Sequence, residues 1–182
     1  QTLTAELIEA YKAEGQLEED PFGDVRHRRI QLYEAEVTSQ LQGKVVLVTG
    51  GEGCVGSDLV KRLVELGVER VVSVDKARNH NSLNAQPEAE KTDSVSLYAA
   101  DVCNYEALDY IFNLEKPEIV FHLAAQRLPG LAEIKVRETI ATSILGTENI
   151  IKLCESYGVE KCIFSSTGKA SRYFTNEVYA AS

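Results

Sequence analysis

The feature that most constrains this chain is a glycine-rich stretch, TGGEGCVG, at residues 49–56. Before it lies a β-branched run at 45–48, which is typical of a strand buried on both faces. After it lies an amphipathic helical pattern that ends at Gly67. A strand, a glycine turn and a helix in this order predict a dinucleotide-binding unit, because the helix N-terminus offers free N–H donors and a positive dipole end to the pyrophosphate.

The glycines of this stretch have different expected roles. Gly50 permits the tight turn after the strand, and Gly53 lets the backbone approach a phosphate group. Gly56 allows the helix to pack closely on the sheet. The other residues of the stretch that are predicted to contact the cofactor are Gly51, Glu52, Cys54 and Val55.

Strand and helix patterns alternate along the rest of the chain. Further strands are predicted at 70–74, 95–99, 118–123 and 161–165. This alternation predicts an α/β fold at residues 43–182, a Rossmann-type doubly wound parallel sheet with right-handed crossovers. A long helix is expected at 132–157, with an apolar face formed by Ile140, Ile144, Ile150, Leu153 and Cys154.

Residues 1–42 differ in character and are predicted to form a helical N-terminal arm. A first amphipathic helix and an acidic turn at 14–24 precede a second helix, which Asp24 is expected to cap. Two short helices cannot form a core of their own, so their apolar faces must dock on something. The arm is therefore interpreted as a packing or homo-oligomer contact, or as an extension that reaches a substrate or partner. The apolar positions of the two helices are Leu3, Leu7, Ile8 and Tyr11, and Val25, Ile30, Tyr33, Val37 and Leu41.

Charge and composition exclude several functional classes. With 28 acidic and 19 basic residues the formal net charge is −9, which argues against a nucleic-acid-binding surface. No apolar run reaches the length needed to cross a bilayer and no signal peptide opens the chain, so we expect a cytoplasmic protein with no membrane partner. The four cysteines lack metal-ligand spacing and a nearby histidine, and they are predicted to be buried thiols with no metal site.

Polar and small residues follow the predicted strands at the edge where a cofactor would lie. Asp75 ends the second strand, where a carboxylate accepts hydrogen bonds from ribose hydroxyls and repels a 2′-phosphate, so NAD is favoured over NADP. Lys76 and Arg78 follow at once and would tolerate a phosphate, which moderates that preference. Asp101 and Val102 come after the third strand, where a side chain meets the adenine edge.

The segment His122-Leu123-Ala124-Ala125-Gln126 follows the fourth strand. Small side chains at Ala124 and Ala125 would let the nicotinamide half of the cofactor approach the backbone, although ordinary strand-end packing explains them equally well. His122 is interpreted as a packed core histidine rather than an acid or base, because no polar partner is evident in the sequence. The residues of this segment assigned to cofactor binding are Leu123, Ala124, Ala125 and Gln126.

These motifs, together with SSTGK at 165–169 and VYAAS at 178–182, resemble the extended short-chain dehydrogenase/reductase superfamily. Within it the chain is similar to the CapD-type polysaccharide-biosynthesis branch of NAD-dependent nucleotide-sugar epimerases and dehydratases. The resemblance covers about residues 43–182. It implies hydride transfer between a sugar carbon and nicotinamide, with a keto-sugar intermediate and a nucleotide-sugar substrate.

The resemblance also implies residue roles. Tyr179 matches the tyrosine of the family's Tyr-x-x-x-Lys acid/base pair, and the chain stops one position before the expected lysine. A phenol of pKa about 10 is a poor base unless a nearby ammonium favours the phenolate. Thr167 matches the residue that bonds the reacting sugar oxygen, and Lys169 belongs to the same catalytic set. Arg127 is a candidate for binding substrate phosphate, with a solvated surface role as the alternative.

Departures from the family pattern leave alternatives open. Gly168 stands where dehydratases usually carry an aspartate, and Ser143 stands where an asparagine is common. Epimerisation or simple oxidation therefore stays open beside dehydration. The family's C-terminal substrate lobe is absent from the chain, so we expect cofactor binding without turnover from these residues alone. A non-catalytic NAD(P)-binding module with a structural or redox-sensing role is the alternative function.

Overall fold

The computed structural model describes residues 2–15, 33–76, 86–126, 128–168 and 178. The chain divides into two compact units, residues 1–34 and 35–182, whereas the predicted domain boundary lies after residue 42. The first unit contains helix α1 (Thr2–Ala13), which confirms the first predicted helix of the arm. The second predicted helix is described only as α2 (Glu34–Leu41), and its expected beginning at Asp24 lies outside the described residues.

The second unit alternates strands and helices as the sequence pattern predicts. Its helices and strands after α2 are β1 (Val45–Thr49), α3 (Cys54–Glu65), β2 (Arg70–Asp75), β3 (Ala89–Lys91), β4 (Val95–Ala99), α4 (Tyr105–Glu115), β5 (Ile119–His122), α5 (Pro129–Ile134), α6 (Val136–Ile140), a π-helical segment (Ala141–Leu145), α7 (Gly146–Tyr157) and β6 (Lys161–Phe164).

The six described strands form one sheet in the order β3-β4-β2-β1-β5-β6. All neighbours run parallel except β3 and β4, which are antiparallel. From β1 the chain first adds β2, β3 and β4 on one side of the sheet and then β5 and β6 on the other, so the strand order reverses between β1 and β5. This topology confirms the predicted Rossmann-type fold, whereas the short strand β3 was not predicted.

Helices on the two faces of the sheet cover two hydrophobic clusters. Successive side chains of a strand point to opposite faces. Leu47 of β1 accordingly lies in one cluster with Phe112 of α4 and Leu153 of α7, and Val46 lies in the other with Leu63 of α3. All five side chains in these contacts are fully buried. The β-branched run that predicted the first strand therefore contributes buried side chains to both faces of the sheet.

The helix expected at 132–157 is not continuous. Helices α5 and α6 precede a π-helical segment, Ala141–Leu145, before α7 begins. A π-turn closes hydrogen bonds five residues apart and holds more residues than an α-turn, so it rotates the helical faces on either side relative to one another. The predicted apolar face is therefore wrong at Ile140 and Ile144, which are 42% and 48% exposed, and correct at Ile150, Leu153 and Cys154.

The cysteine prediction also needs correction. Cys154 is buried and Cys103 is half-buried, but Cys54 and Cys162 are exposed. Cys54 is exposed because it is the first residue of helix α3, at the glycine-rich loop. Cys162 is exposed on β6, which is an outer strand of the described sheet. All four cysteines are free thiols. The longest helices in the described part of the chain have 12 residues, too few to span a bilayer.

A buried carboxylate joins α4 to three strands. The side chain of Glu115 at the end of α4 is 1% exposed. The Tyr98 hydroxyl donates to its Oε1 at 2.6 Å, while Lys91 Nζ and Arg70 Nη1 lie 3.2 and 3.1 Å from its oxygens. Burial by itself would raise the pKa of this carboxyl, but the hydrogen bond from Tyr98 and the two cations together lower it.

Replacing this buried carboxylate should destabilise the fold strongly. We expect Glu115→Gln to lower the free energy of unfolding by about 2 kcal/mol, because the amide N–H group faces two cations in a buried site. Since the folded-state pKa of Glu115 is lowered, its contribution is present above the ordinary carboxyl pKa and is lost as pH falls through the folded-state value. Urea denaturation at several pH values measures both effects.

Glu65→Gln is the matched control. Glu65 pairs with Arg62 at 2.9 Å on the solvent face of α3, where both side chains are about half exposed. Such pairs contribute at most about 1 kcal/mol. Equal destabilisation by the two variants would show that the buried network of Glu115 stabilises the fold no more than an ordinary surface ion pair does.

Candidate functional site

A cavity of about 440 Å³ opens where the parallel strands end. The residue that ends or follows each parallel strand reaches it: Gly50, Asp75, Ala100, Leu123 and Ser165. The cavity lies beside the reversal of strand order between β1 and β5, which is where open α/β sheets bind ligands. The remaining residues lining it are Gly53, Cys54, Val55, Gly56, Val74, Lys76, Val102, Ala124, Ala125, Thr142 and Ser166.

Two glycines shape the floor of this cavity. Gly50 has a φ of +72°, a backbone conformation that side chains disfavour, and turns the chain from β1 toward α3. Gly56 in the first turn of α3 is buried against the loop, where an added Cβ would overlap the Gly50 carbonyl oxygen and lie 2.8 Å from the Gly51 Cα. Helix α3 thus lies closer to the loop than any side chain at position 56 allows.

The N-terminus of α3 faces the cavity. Gly53 is its N-cap and has no side chain to occupy the first N–H groups, and Cys54 and Val55 begin the helix. All three are exposed and line the cavity. Backbone N–H donors and the positive end of the helix dipole are therefore presented to the opening, an arrangement that suits a pyrophosphate. The close-packed glycine loop formed by Gly50 and Gly56, here called the glycine cradle, and the N-terminus of α3 together fit a dinucleotide.

Asp75 connects the glycine-rich loop to the second strand. Its Oδ2 accepts a hydrogen bond from the Glu52 backbone N–H at 3.0 Å, and the half-buried carboxylate lines the cavity. The carboxylate is therefore held beside the loop, in the position expected of a group that binds ribose hydroxyls. Asp101 lies close by, with its Oδ2 3.9 Å from Lys76 Nζ.

His122 is buried, as predicted, but the expectation that it lacks polar partners is wrong. Its Nδ1 lies 2.7 Å from Thr49 Oγ1 and its Nε2 lies 3.0 Å from Thr147 Oγ1. Burial lowers the pKa of His122 to about 4, so the ring is neutral at pH 7. The sequence offers no local signal for these bonds, because the partners lie 73 and 25 residues away.

The neighbouring hydrogen bonds assign the protons of this ring. Thr49 Oγ1 accepts N–H bonds from Leu123 and Ala124, so its own proton goes to His122 Nδ1. The His122 Nε2–H then donates to Thr147, whose hydroxyl donates to a backbone carbonyl at 2.6 Å. The ends of β1 and β5 are thereby tied together, which holds the backbone beside the cavity in place.

The structure adds residues to the predicted site. Thr142 lies in the π-helical segment, is 5% exposed and lines the cavity, although no motif marked it. Ser165 and Ser166 line it too, and the SSTGK stretch at 165–169, which contains both serines, was the available signal. Among the residues predicted to bind cofactor, Gly51 is buried in the loop, and Glu52 contributes its N–H to Asp75.

The predicted catalytic residues are described only in part. Thr167 is half-buried and directly follows the two serines at the cavity. The backbone N–H of Val178 donates to Glu133 Oε1 of α5 at 2.6 Å. Tyr179, Lys169 and Arg127 lie outside the described residues, and their roles stay predictions. Within the described ranges, no group of three or more histidine, cysteine or acidic residues is arranged to hold a metal ion.

The chain is similar to a known protein family and to several of its characterised members. The profile of the NAD dependent epimerase/dehydratase family matches residues 46–178. A dTDP-glucose 4,6-dehydratase of Neisseria meningitidis is 31% identical over 137 residues, which cover 74% of this chain and 38% of that protein. The capsular polysaccharide biosynthesis protein CapD of Staphylococcus aureus is 28% identical over 145 residues, covering 78% of this chain and 24% of that protein.

A solved structure shares the fold as well as the sequence pattern. The Bordetella bronchiseptica enzyme WbmF, in complex with NAD+ and UDP, matches with a TM-score of 0.64 and 26% identity. The match covers 79% of this chain and 42% of that chain. The chain thus spans less than half the length of each of these three proteins.

Proposed function

Because its residues 46–178 match the family profile, the chain belongs to the NAD dependent epimerase/dehydratase family, and we propose that it binds NAD for an oxidoreductase acting on nucleotide sugars. The family assignment confirms the resemblance inferred from the motifs. The observation that carries the proposal is the cavity itself, since five parallel strands end at it beside a glycine cradle and an exposed helix N-terminus.

Each part of the cavity has a proposed task in holding the cofactor. The N–H groups of Cys54 and Val55 bind the pyrophosphate, and the Asp75 carboxylate accepts hydrogen bonds from the ribose hydroxyls. Val102 borders the adenine, and the backbone at Ala124 and Ala125 borders the nicotinamide half. NAD, when bound, supplies a hydride acceptor for a sugar carbon and the donor that returns it.

The proposed substrate is a nucleotide sugar. Two relatives are named for dTDP-glucose dehydration and capsular polysaccharide biosynthesis, and a related structure contains UDP. We assign the substrate oxygen to Thr167 and its proton to Tyr179, with Lys169 in the same set. A phenol near an ammonium is a suitable acid/base group at neutral pH. The biological setting proposed is polysaccharide or glycoconjugate biosynthesis.

The cofactor preference provides the first test. We expect this chain to bind NAD at least about 10-fold more tightly than NADP, because the Asp75 carboxylate favours ribose hydroxyls and repels a 2′-phosphate. Isothermal titration calorimetry with each dinucleotide measures both dissociation constants.

The matched variant for this test is Asp75→Asn, which keeps the shape of the side chain and removes its charge. The NAD preference should shrink in this variant because the repulsion of the 2′-phosphate is lost. Tighter binding of NADP than of NAD by the unaltered chain would contradict the proposed preference, and binding of neither would contradict the proposed function.

A further inference from the structure

A network of charged groups lies at the Asp75 side of the cavity. Lys76 lines the cavity directly after Asp75, and its Nζ lies 3.2 Å from Glu138 Oε1 and 3.9 Å from Asp101 Oδ2. Glu138 belongs to α6 and is 62 residues from Lys76 in the sequence. Its Oε2 is also 3.0 Å from Lys135 Nζ on the same helix.

The acidic neighbours of Lys76 weaken its attraction for a phosphate group. An ammonium next to the ribose-binding carboxylate would ordinarily attract a 2′-phosphate. Here Glu138 and Asp101 both lie within ion-pair distance of it. The pKa of Glu138 is lowered by its hydrogen bonds to Lys135 and Lys76, so this carboxylate is ionised at neutral pH.

The net charge around the ribose edge of the cavity is negative and repels a 2′-phosphate. Asp75, Asp101 and Glu138 contribute −3, and Lys76 and Lys135 contribute +2, a sum of −1. A 2′-phosphate carries a charge of about −1.5 to −2 at pH 7. NAD has hydroxyls at this position and does not meet the same repulsion.

We infer that Glu138 is a specificity-determining residue, which excludes NADP by neutralising Lys76. This inference rests on the proposed function, since it requires the cavity to bind the adenosine half of a nicotinamide dinucleotide there. It assigns part of the cofactor choice to a helix 62 residues away in sequence from Lys76, in addition to the acidic residue at the end of β2.

The test is the ratio of the dissociation constants for NADP and NAD, measured by titration calorimetry on the whole chain. Glu138→Gln changes the local sum from −1 to 0 and removes the ion pair between Glu138 and Lys76. We expect the ratio to fall by about 3- to 10-fold at low ionic strength, and by less in 0.5 M salt because screening weakens exposed charges. Taking a ratio within one variant cancels any general loss of folded protein.

Two further variants show whether the change in the ratio depends on Lys76. In the double variant Glu138→Gln/Lys76→Gln the local sum returns to −1, so the ratio should return toward that of the unaltered chain. Glu148→Gln is the matched control, because it removes the partner of Lys152 on α7 and should leave the ratio unchanged.

The outcomes distinguish two kinds of failure. If the unaltered chain binds NAD and Glu138→Gln leaves the ratio unchanged, this inference is wrong and the proposed function stands. A ratio that stays low in the double variant would also overturn it, since the gain would not depend on Lys76. If the unaltered chain does not bind NAD, the proposed function fails.

Discussion

Replacing Gly56 with alanine is expected to lower the affinity for NAD by about 100-fold. An added Cβ would overlap the Gly50 carbonyl oxygen and lie 2.8 Å from the Gly51 Cα, and neither backbone atom can move unless the loop moves. Gly50 is itself held by an N–H bond of 2.8 Å to the Val74 carbonyl of β2. Overpacking of this kind costs about 1–3 kcal/mol. The displaced loop would no longer present its N–H groups to the pyrophosphate.

Helix propensity does not confound the effect of this substitution on NAD affinity. Alanine is favoured over glycine by about 1 kcal/mol inside a helix, so a loss of affinity reports the steric conflict and not a weakened α3. Gly130→Ala is the matched control, because that helical glycine in α5 has no atom within 4 Å of its added Cβ. Calorimetry gives the affinity and circular dichroism confirms folding. NAD affinity within threefold of the unaltered chain would refute the assigned role of Gly56.

If the proposed function is correct, replacing Tyr179 with phenylalanine in the full-length protein is expected to lower turnover by about 10²–10⁴-fold, with NAD affinity nearly unchanged. The substitution removes only the phenol oxygen, which is the proposed acid/base group, and a positioned proton donor contributes about this factor. Turnover is measured with a panel of UDP-, GDP- and dTDP-sugars, followed by mass spectrometry and NMR.

Tyr105→Phe is the matched control for that experiment. Tyr105 lies at the start of α4 and is 40% exposed, so the loss of its hydroxyl should leave turnover intact. Full turnover by Tyr179→Phe would assign the acid/base role to another residue. If the unaltered enzyme binds NAD and converts no sugar of the panel, the non-catalytic module becomes the better description.

Local patterns were sufficient for the parallel strands and for the glycine-rich loop. Alternation of strand and helix together with the stretch at 49–56 predicted a sheet whose strand ends form the cavity. These features depend on neighbours in sequence, since a buried strand and a glycine turn are both encoded within a few residues. Helix α4 likewise ends shortly before Pro117, because a residue that precedes proline disfavours the α conformation. Its last residue is Glu115, and Lys116 is its C-cap in the left-handed conformation, with a φ of +48° and its N–H bonded to the Phe112 carbonyl.

Features that depend on distant contacts were missed. The polar partners of His122 come from two other elements, and Glu138 meets Lys76 only after the sheet has formed. The π-helical segment escaped prediction because a regular helical period assumes one residue spacing throughout. Strand β3 is three residues long and carries no apolar alternation that would distinguish it from a loop.

The two outer strands of the described sheet differ in a way that bears on handling the purified protein. Strand β3 has only three residues, and its exposed Glu90 and Lys91 discourage pairing with another chain. Strand β6 ends in Ile163 and Phe164, which are 39% and 57% exposed. An apolar strand edge is a template for intermolecular pairing, so colloidal stability in concentrated solutions depends on what covers β6. A charged residue at either position would act as a gatekeeper against aggregation.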